Sequence, residues 1–187
     1  MSVKFYFVRH GNSTANNGKV FFNGEDAELT ELGEEQAEDV GRFLRNSKVK
    51  FDLIFCSPYQ RAIETCHIAL AIAEMRRTAV IEDDRISERK FDGLVGRVGT
   101  REHNRLIYDY NSDQSVKDGI ETLEALEARA RDFIDDMVKN HPDSNILMFS
   151  HGAFGLAFRA VIEGRPKSGN LLDYKLLKHG EVAIYEV

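Results

Sequence analysis

Chemistry in this chain gathers where three apolar runs stop. Residues 3–8 lead into Arg9 and His10, residues 51–56 lead into Ser57-Pro58-Tyr59-Gln60-Arg61, and residues 146–149 lead into Ser150-His151-Gly152. Two histidines and two arginines make a dense cationic set suited to a phosphoryl group. Arginine offers planar, bidentate hydrogen bonds and a charge that persists at any relevant pH. With no metal-ligand spacing and no P-loop in the chain, phosphate-ester cleavage points to a covalent route through a histidine nitrogen. That nitrogen must belong to a neutral imidazole, while the remaining cations stabilise charge on the phosphoryl oxygens. A departing alkoxide needs a proton, so a carboxylic acid is expected nearby. Neither Ser13 nor Ser57 sits in a GxSxG elbow, which leaves serine hydrolysis unsupported.

The elements that must position these groups are legible from periodicity. Short apolar runs without alternation read as strands buried on both faces of a parallel sheet, whose carboxyl ends are where α/β proteins bind ligands. If the three strands share one sheet, Arg9, His10, Arg61 and His151 converge on one edge. Thr30 with Glu31, Glu34 and Glu35 reads as a helix start, and Ala37, Val40 and Leu44 carry its apolar stripe to about Asn46. Ala62, Cys66, Ala69 and Ala73 mark a second helix ending near Met75. Residues 78–81 read as a third strand, and the Gly-rich, charged stretch 85–99 as the rim of the site. A short helix is expected within 101–110 and a polar, mobile segment at 111–119. Leu123, Leu126, Ala130, Phe133, Ile134 and Met137 define a long helix stopping before Pro142. A core-facing helix over 153–162 and an edge strand over 181–186 complete the chain. The expected architecture is one α/β domain over residues 1–187, a three-layer α/β/α sandwich with a mostly parallel central sheet.

Bulk properties narrow the partners. The 187 residues carry a net charge of −6 and are 42% hydrophobic and 30% charged. A chain of that size buries roughly 70% of the surface its unfolded form exposes. Nucleic-acid binding would call for a basic domain, so any attraction for an anion must be local. No apolar run approaches a membrane span of roughly 20 residues, and the N-terminus lacks a signal-peptide pattern, so a cytoplasmic address is expected. Cys56 and Cys66 have no CxxC or CxxH neighbours and read as buried thiols.

Five ordered motifs carry a family resemblance. Arg9-His10-Gly11 followed by Asn16, Leu29-Thr30-Glu31-Leu32-Gly33-Glu34-Glu35-Gln36-Ala37, and Ser57-Pro58-Tyr59-Gln60-Arg61-Ala62-Ile63-Glu64-Thr65 come first. Gly119-Ile120-Glu121-Thr122 with Arg129, and Ser150-His151-Gly152, follow. Together they resemble the RHG, LTxxGxxQA, SPxxRAxxT, GGES and second-histidine motifs of the histidine phosphatase superfamily, phosphoglycerate mutase branch. The resemblance implies a phosphoglycerate mutase-like fold and His10 as the phosphorylated nucleophile. It implies Arg9, Arg61 and His151 as the phosphate pocket, and Asn16 as a phosphate contact. Glu88 falls where the family places its general acid. Ser13 and Arg89 join Asn16 as candidate substrate contacts, although a turn role would equally explain Ser13. Lys19, Arg89, Lys90, Arg97, Arg101 and Arg105 read as either a second anion site or a solvated rim. His67, His103, His141 and His179 have no matching context and read as structural or solvent-facing.

The chain departs from the family at Asn12, where Glu or Gln is usual, and at 92–96, where phosphatase-like members often show GxWEG. The stretch 85–94 is instead similar to the mutases' RLNERHYGGL. The leading reading is therefore a phosphatase acting through phosphohistidine on a small phosphorylated metabolite, with no metal or organic cofactor. Nucleic acid and membrane are not expected as partners, and a homodimer is left open. One alternative is a phosphoglycerate mutase, against which stands the short 104–119 segment, with little chain to build the mutases' enclosing insertion. The other is a catalytically silent phosphate-binding or interaction module, against which stands the intact set His10, Arg61, Glu88 and His151.

Overall fold

The computed structural model describes residues 2–16, 21 and 27–187. Asn17, Gly18 and Lys19, and most of the loop 18–28, lie outside the described residues. In chain order the elements are β1 (Lys4–Arg9), α1 (Glu31–Ser47), β2 (Leu53–Cys56), α2 (Gln60–Ile72) and β3 (Ile81–Glu82). They continue with α3 (Arg101–Ile107), α4 (Gln114–Lys117), α5 (Leu123–Asn140), β4 (Asn145–Ser150), α6 (Gly152–Glu163) and β5 (Val182–Glu186). The five strands form one sheet in the order β3-β2-β4-β1-β5. All neighbours are parallel except β5, which runs antiparallel to β1.

Strand alternation divides the core into two layers of packing. From β1, Phe5 and Phe7 face the α5–α6 side with Phe55, Ile146 and Met148. Tyr6 and Val8 face the α1–α2 side with Ile54, Cys56, Leu147 and Phe149. Both faces of the central strands are dry, which is why these runs show no polar alternation. On one side Phe5 and Phe158 meet edge to face at 5.3 Å, and Phe55 and Phe133 at 5.1 Å. Cys56 and Cys66 are buried free thiols in the other layer.

Capping residues set where the helices begin. Thr30, Thr100 and Thr122 precede α1, α3 and α5, and each hydroxyl accepts from the backbone N–H three residues on. Two expectations shift. The strand expected over 78–81 is only the two residues of β3, both exposed on the sheet edge, because residues 74–78 are taken up by the turn that closes α2. The polar segment 111–119 is not a bare loop. It contains the single turn α4, whose Ser115 is buried and whose Gly119 adopts φ +64° to bring the chain back toward Ile120. Among the described residues no helix is long and apolar enough to cross a membrane.

Candidate active site

Because β1, β2 and β4 are mutually parallel, their carboxyl ends share one edge of the sheet. Arg9 and Ser150 are register partners across β1 and β4. His10 follows immediately, His151 precedes α6, and Arg61 lies in the first turn of α2. The His10 and His151 rings are 5.1 Å apart between centroids.

His10 is 2% exposed, and its Nδ1 lies 2.7 Å from the Gly11 carbonyl. A carbonyl only accepts, so Nδ1 carries the proton and Nε2 presents its lone pair, to which Arg61 Nε donates at 3.3 Å. Burial, then the Arg61 charge, holds the His10 imidazole well below its ordinary pKa, so it is neutral near pH 7. The arrangement thus leaves His10 Nε2 unprotonated, with its lone pair toward Arg61.

The surrounding motif residues hold the loop that orients His10. Gly11 N–H donates to Thr65 Oγ at 3.0 Å, and Thr65 Oγ donates to the Arg61 carbonyl at 2.6 Å. Asn12 N–H donates to Gln36 Oε1 at 2.8 Å, while Asn12 Oδ1 accepts from the Thr30 hydroxyl at 2.9 Å. The N-terminus of α1 is pressed against this loop so closely that a Cβ on Gly33 would stand 1.9 Å from the Asn12 carbonyl oxygen. One on Gly11 would stand 2.3 Å from the Gly33 carbonyl oxygen. Two motif glycines are thereby explained by one contact. Asn12 buttresses the helix cap through its amide oxygen, a bond that needs no carboxylate charge.

His151 is fully buried, with Nε2 2.7 Å from Ser57 Oγ. Its Nδ1 is buried with no hydrogen-bond partner among the described residues, and the same holds for Arg9 Nε. Burial and the neighbouring Arg61 keep His151 well below its ordinary pKa as well. Burial lowers the Arg9 and Arg61 values too, without threatening the charge of a guanidinium. Tyr59 packs edgewise on His151 at 5.2 Å and under the Arg61 guanidinium at 5.0 Å.

Glu88 enters from the stretch before α3 and stands at the N-terminus of α6, which has no side-chain cap of its own. Its Oε1 accepts from the N–H groups of Ala153 (3.1 Å), Phe154 (3.1 Å) and Arg89 (2.9 Å). Oε2 has only a longer 3.4 Å approach from Ala153 N–H. The carboxyl group is thus fixed by one oxygen, which leaves Oε2 the less engaged of the two. Arg129 supports this stretch from α5, pairing with Glu121 at 2.8 Å and donating to the carbonyls of Arg85, Ser87 and Glu88.

Three expected contacts look different in place. Arg89 is withdrawn from the substrate side: it is 1% exposed and donates to the carbonyls of Glu121 and Ile107 and to Ser115 Oγ. It ties α3 to α4 instead, since the Ile107 carbonyl accepts from both Arg89 and the Ser115 hydroxyl, and Ser115 Oγ accepts from Arg89 in turn. Ser13 is fully buried and donates through both N–H and Oγ to Asn16 Oδ1, so it shapes the turn and not the substrate surface. Asn16 itself is exposed, and its amide oxygen is occupied by that turn. The wider cationic rim also thins, since Arg89 is engaged and Arg105 approaches Asp173 at 3.5 Å. Lys19 lies outside the described residues.

Two residues near the site escaped the sequence reading. His179, expected to be structural or solvent-facing, meets Arg9 Nη2 at 2.9 Å, and its ring lies tilted at 5.4 Å from that of His10. Tyr108, at the end of α3, lies against Arg89 at 5.2 Å, and burial followed by the Glu88 charge pushes its phenol up to about 12. Neither follows an apolar run, so strand-end logic had no means of finding them.

The model for the Histidine phosphatase superfamily (branch 1) matches residues 5–185. The chain belongs to this superfamily. A 2,3-bisphosphoglycerate-dependent phosphoglycerate mutase of Streptococcus mutans is 38% identical over 95 residues. That stretch is 51% of this chain and 41% of the relative, so the match spans less than half of the mutase. Among solved structures, a putative alpha-ribazole-5'-P phosphatase from Escherichia coli superposes with a TM-score of 0.77 at 23% identity. It covers 98% of this chain and 90% of that one. Phosphoglycerate mutase from Bacillus anthracis superposes with a TM-score of 0.77 at 19% identity, covering 100% and 88%. At these identities the superpositions speak to fold, and the fold is phosphoglycerate mutase-like.

Proposed function

We propose that this histidine phosphatase superfamily protein hydrolyses the phosphomonoester of a small metabolite through a phosphohistidine on His10. The observation that carries the reading is a buried, neutral His10 with its proton fixed on Nδ1 and its Nε2 lone pair facing the guanidinium of Arg61. An arriving phosphoryl group competes for Arg61 and frees Nε2 for in-line attack on phosphorus. As the N–P bond forms, the ester P–O bond breaks and its electron pair leaves on the alkoxide oxygen, which takes a proton from Glu88 Oε2. Arg9, Arg61 and His151 Nδ1 hold the charge that builds on the phosphoryl oxygens. In the second step Glu88, now ionised, takes a proton from water as the water oxygen attacks phosphorus. The P–N bond then breaks, its electron pair returns to imidazole, and orthophosphate departs.

The test is hydrolysis of p-nitrophenyl phosphate with and without a divalent-metal chelator, followed by a panel of phosphorylated metabolites. Activity that survives the chelator and disappears in His10→Ala is the expected result. Undiminished turnover by His10→Ala ends the mechanism. Phosphoglycerate mutase activity is the second reading, favoured by the name of the 38% identical relative. It requires interconversion of 2- and 3-phosphoglycerate stimulated by a bisphosphoglycerate primer. A protein inert in both assays yet binding phosphate would instead be the silent module.

A further inference from the structure

Arg9 is gripped by the lead-in to β5, a stretch without strand or helix of its own. Arg9 Nη1 donates to the Leu177 carbonyl at 2.6 Å and Nη2 meets His179 Nε2 at 2.9 Å. One residue on, the Gly180 N–H points at the carbonyls of Arg9 (3.0 Å) and His10 (3.3 Å), and Arg9 N–H donates to the Glu181 carbonyl at 3.2 Å. Gly180 makes the approach with φ +69°, and a Cβ there would stand 2.8 Å from Gln36 Cβ. The stretch 177–181 is therefore a clamp on the two residues that open the site.

A guanidinium has five N–H donors and no acceptor, so the bond to His179 requires a lone pair on Nε2 and a neutral ring. Burial, then Arg9 and Arg61, carries His179 down to about 4, consistent with that state at neutral pH. With Nη1 and Nη2 each tied by one bond, the plane of the Arg9 guanidinium is set and its remaining N–H groups, the unpartnered Nε among them, have fixed directions. A chain carbonyl alone would let the group rotate about its Nη1 contact. The second bond from His179 removes that freedom before an anion arrives.

We propose that His179 is a positioning residue of the phosphate pocket, holding Arg9 in its oxyanion-facing orientation through the Nε2–Nη2 bond. This rests on the phosphohydrolase reading for its kinetic consequences but not for its binding ones. The experiment measures binding of inorganic phosphate and orthovanadate by calorimetry, with kcat and KM for p-nitrophenyl phosphate, in wild type, His179→Ala and His179→Gln. The glutamine amide oxygen can reach the position of Nε2 and restore the acceptor.

His179→Ala is expected to weaken anion binding about tenfold and to lower kcat/KM by at least that factor, as loss of one orienting bond to a charged donor implies. His179→Gln is expected to recover to within about threefold. In an Arg9→Ala background, His179→Ala should add nothing, since its partner is gone. Anion binding unchanged in His179→Ala, failure of glutamine to rescue a folded variant, or full additivity with Arg9→Ala would each overturn the proposal. A wild type that binds phosphate without turning over an ester would defeat the phosphohydrolase reading alone, and the binding comparison would still decide the role of His179.

Discussion

Replacing Thr65 with valine tests whether the loop that carries His10 is oriented by α2. Valine matches threonine in shape, so packing is kept while the hydroxyl is lost. In the fold that hydroxyl accepts from Gly11 N–H at 3.0 Å and donates to the Arg61 carbonyl at 2.6 Å, and the residue is fully buried. The Arg61 carbonyl stands in the helix ladder and keeps a backbone donor, so the main loss falls on Gly11, whose N–H is left buried and unpaired. Such a group costs about 1–3 kcal/mol. In a domain of this size that corresponds to a fall in melting temperature of roughly 3–10 °C. The same residue, Gly11, carries the carbonyl that fixes the His10 tautomer, so kcat should fall by about tenfold or more even at temperatures where the variant is fully folded. Urea denaturation and p-nitrophenyl phosphate kinetics measure the two effects separately, and Thr65→Ser, which keeps the oxygen, should restore most of both. A valine variant within about 0.5 kcal/mol of wild type with unchanged kcat would show that Thr65 does not orient the loop.

Glu88→Gln should slow the first, phosphohistidine-forming step with alkyl phosphates by about 10²–10⁴ but spare that step for substrates whose phenol leaves without a proton; equal losses in single-turnover phosphorylation by both would remove Glu88 as the acid. His10, His151 and His179 are held neutral below their ordinary pKa in the fold but titrate near 6.5 when unfolded, so the unfolded chain gains protons first as pH falls. Stability should therefore drop from pH 6.5 toward about 4, by up to about 1.4 kcal/mol per pH unit for each of the buried pair His10 and His151. Urea midpoints that stay level between pH 7 and 5 would contradict this. Arg89→Met should destabilise by about 1–3 kcal/mol and speed limited proteolysis within 104–119, because the Glu121 carbonyl loses the Arg89 donor and the Ile107 carbonyl is left with Ser115 Oγ alone. If instead proteolysis is unchanged while KM rises sharply, Arg89 contacts substrate after all.

Legibility in the sequence followed the reach of each signal. The central strands could be read because burial on both faces leaves unbroken apolar runs, and their parallel arrangement then placed Arg9, His10, Arg61 and His151 at one edge. Helix starts were readable where a threonine hydroxyl caps the first turn, as at Thr30. Tertiary hydrogen bonding was not. Whether Arg89 serves substrate or scaffold depends on the carbonyls of Ile107 and Glu121, which no local pattern reveals. His179 stayed hidden for the same reason, being 170 residues from Arg9 in the chain and adjacent to it only because β5 pairs antiparallel with β1. The third strand, expected over 78–81, starts later at Ile81–Glu82 because the turn that closes α2 takes up residues 74–78, which periodicity alone does not show.

The density of bonds around His10 follows from the charge the pocket must tolerate. Arg9 and Arg61 are both desolvated, and each lies in the field of the other. A pocket of that sign would relax by turning its cations toward water or by protonating nothing further, and the fold prevents the first while using the second. Each imidazole stays neutral because a third and fourth charge beside two buried guanidiniums is too costly. Each cation stays inward because backbone carbonyls and neighbouring rings hold it, as Leu177 and His179 do for Arg9. Gly11, Gly33, Gln36, Thr65 and the departing Asn12 are then the motif residues that hold the loop beside this cationic pair in place. On that account the amide of Asn12 suffices where Glu or Gln is usual, since what the position supplies to Thr30 is an acceptor oxygen rather than a charge.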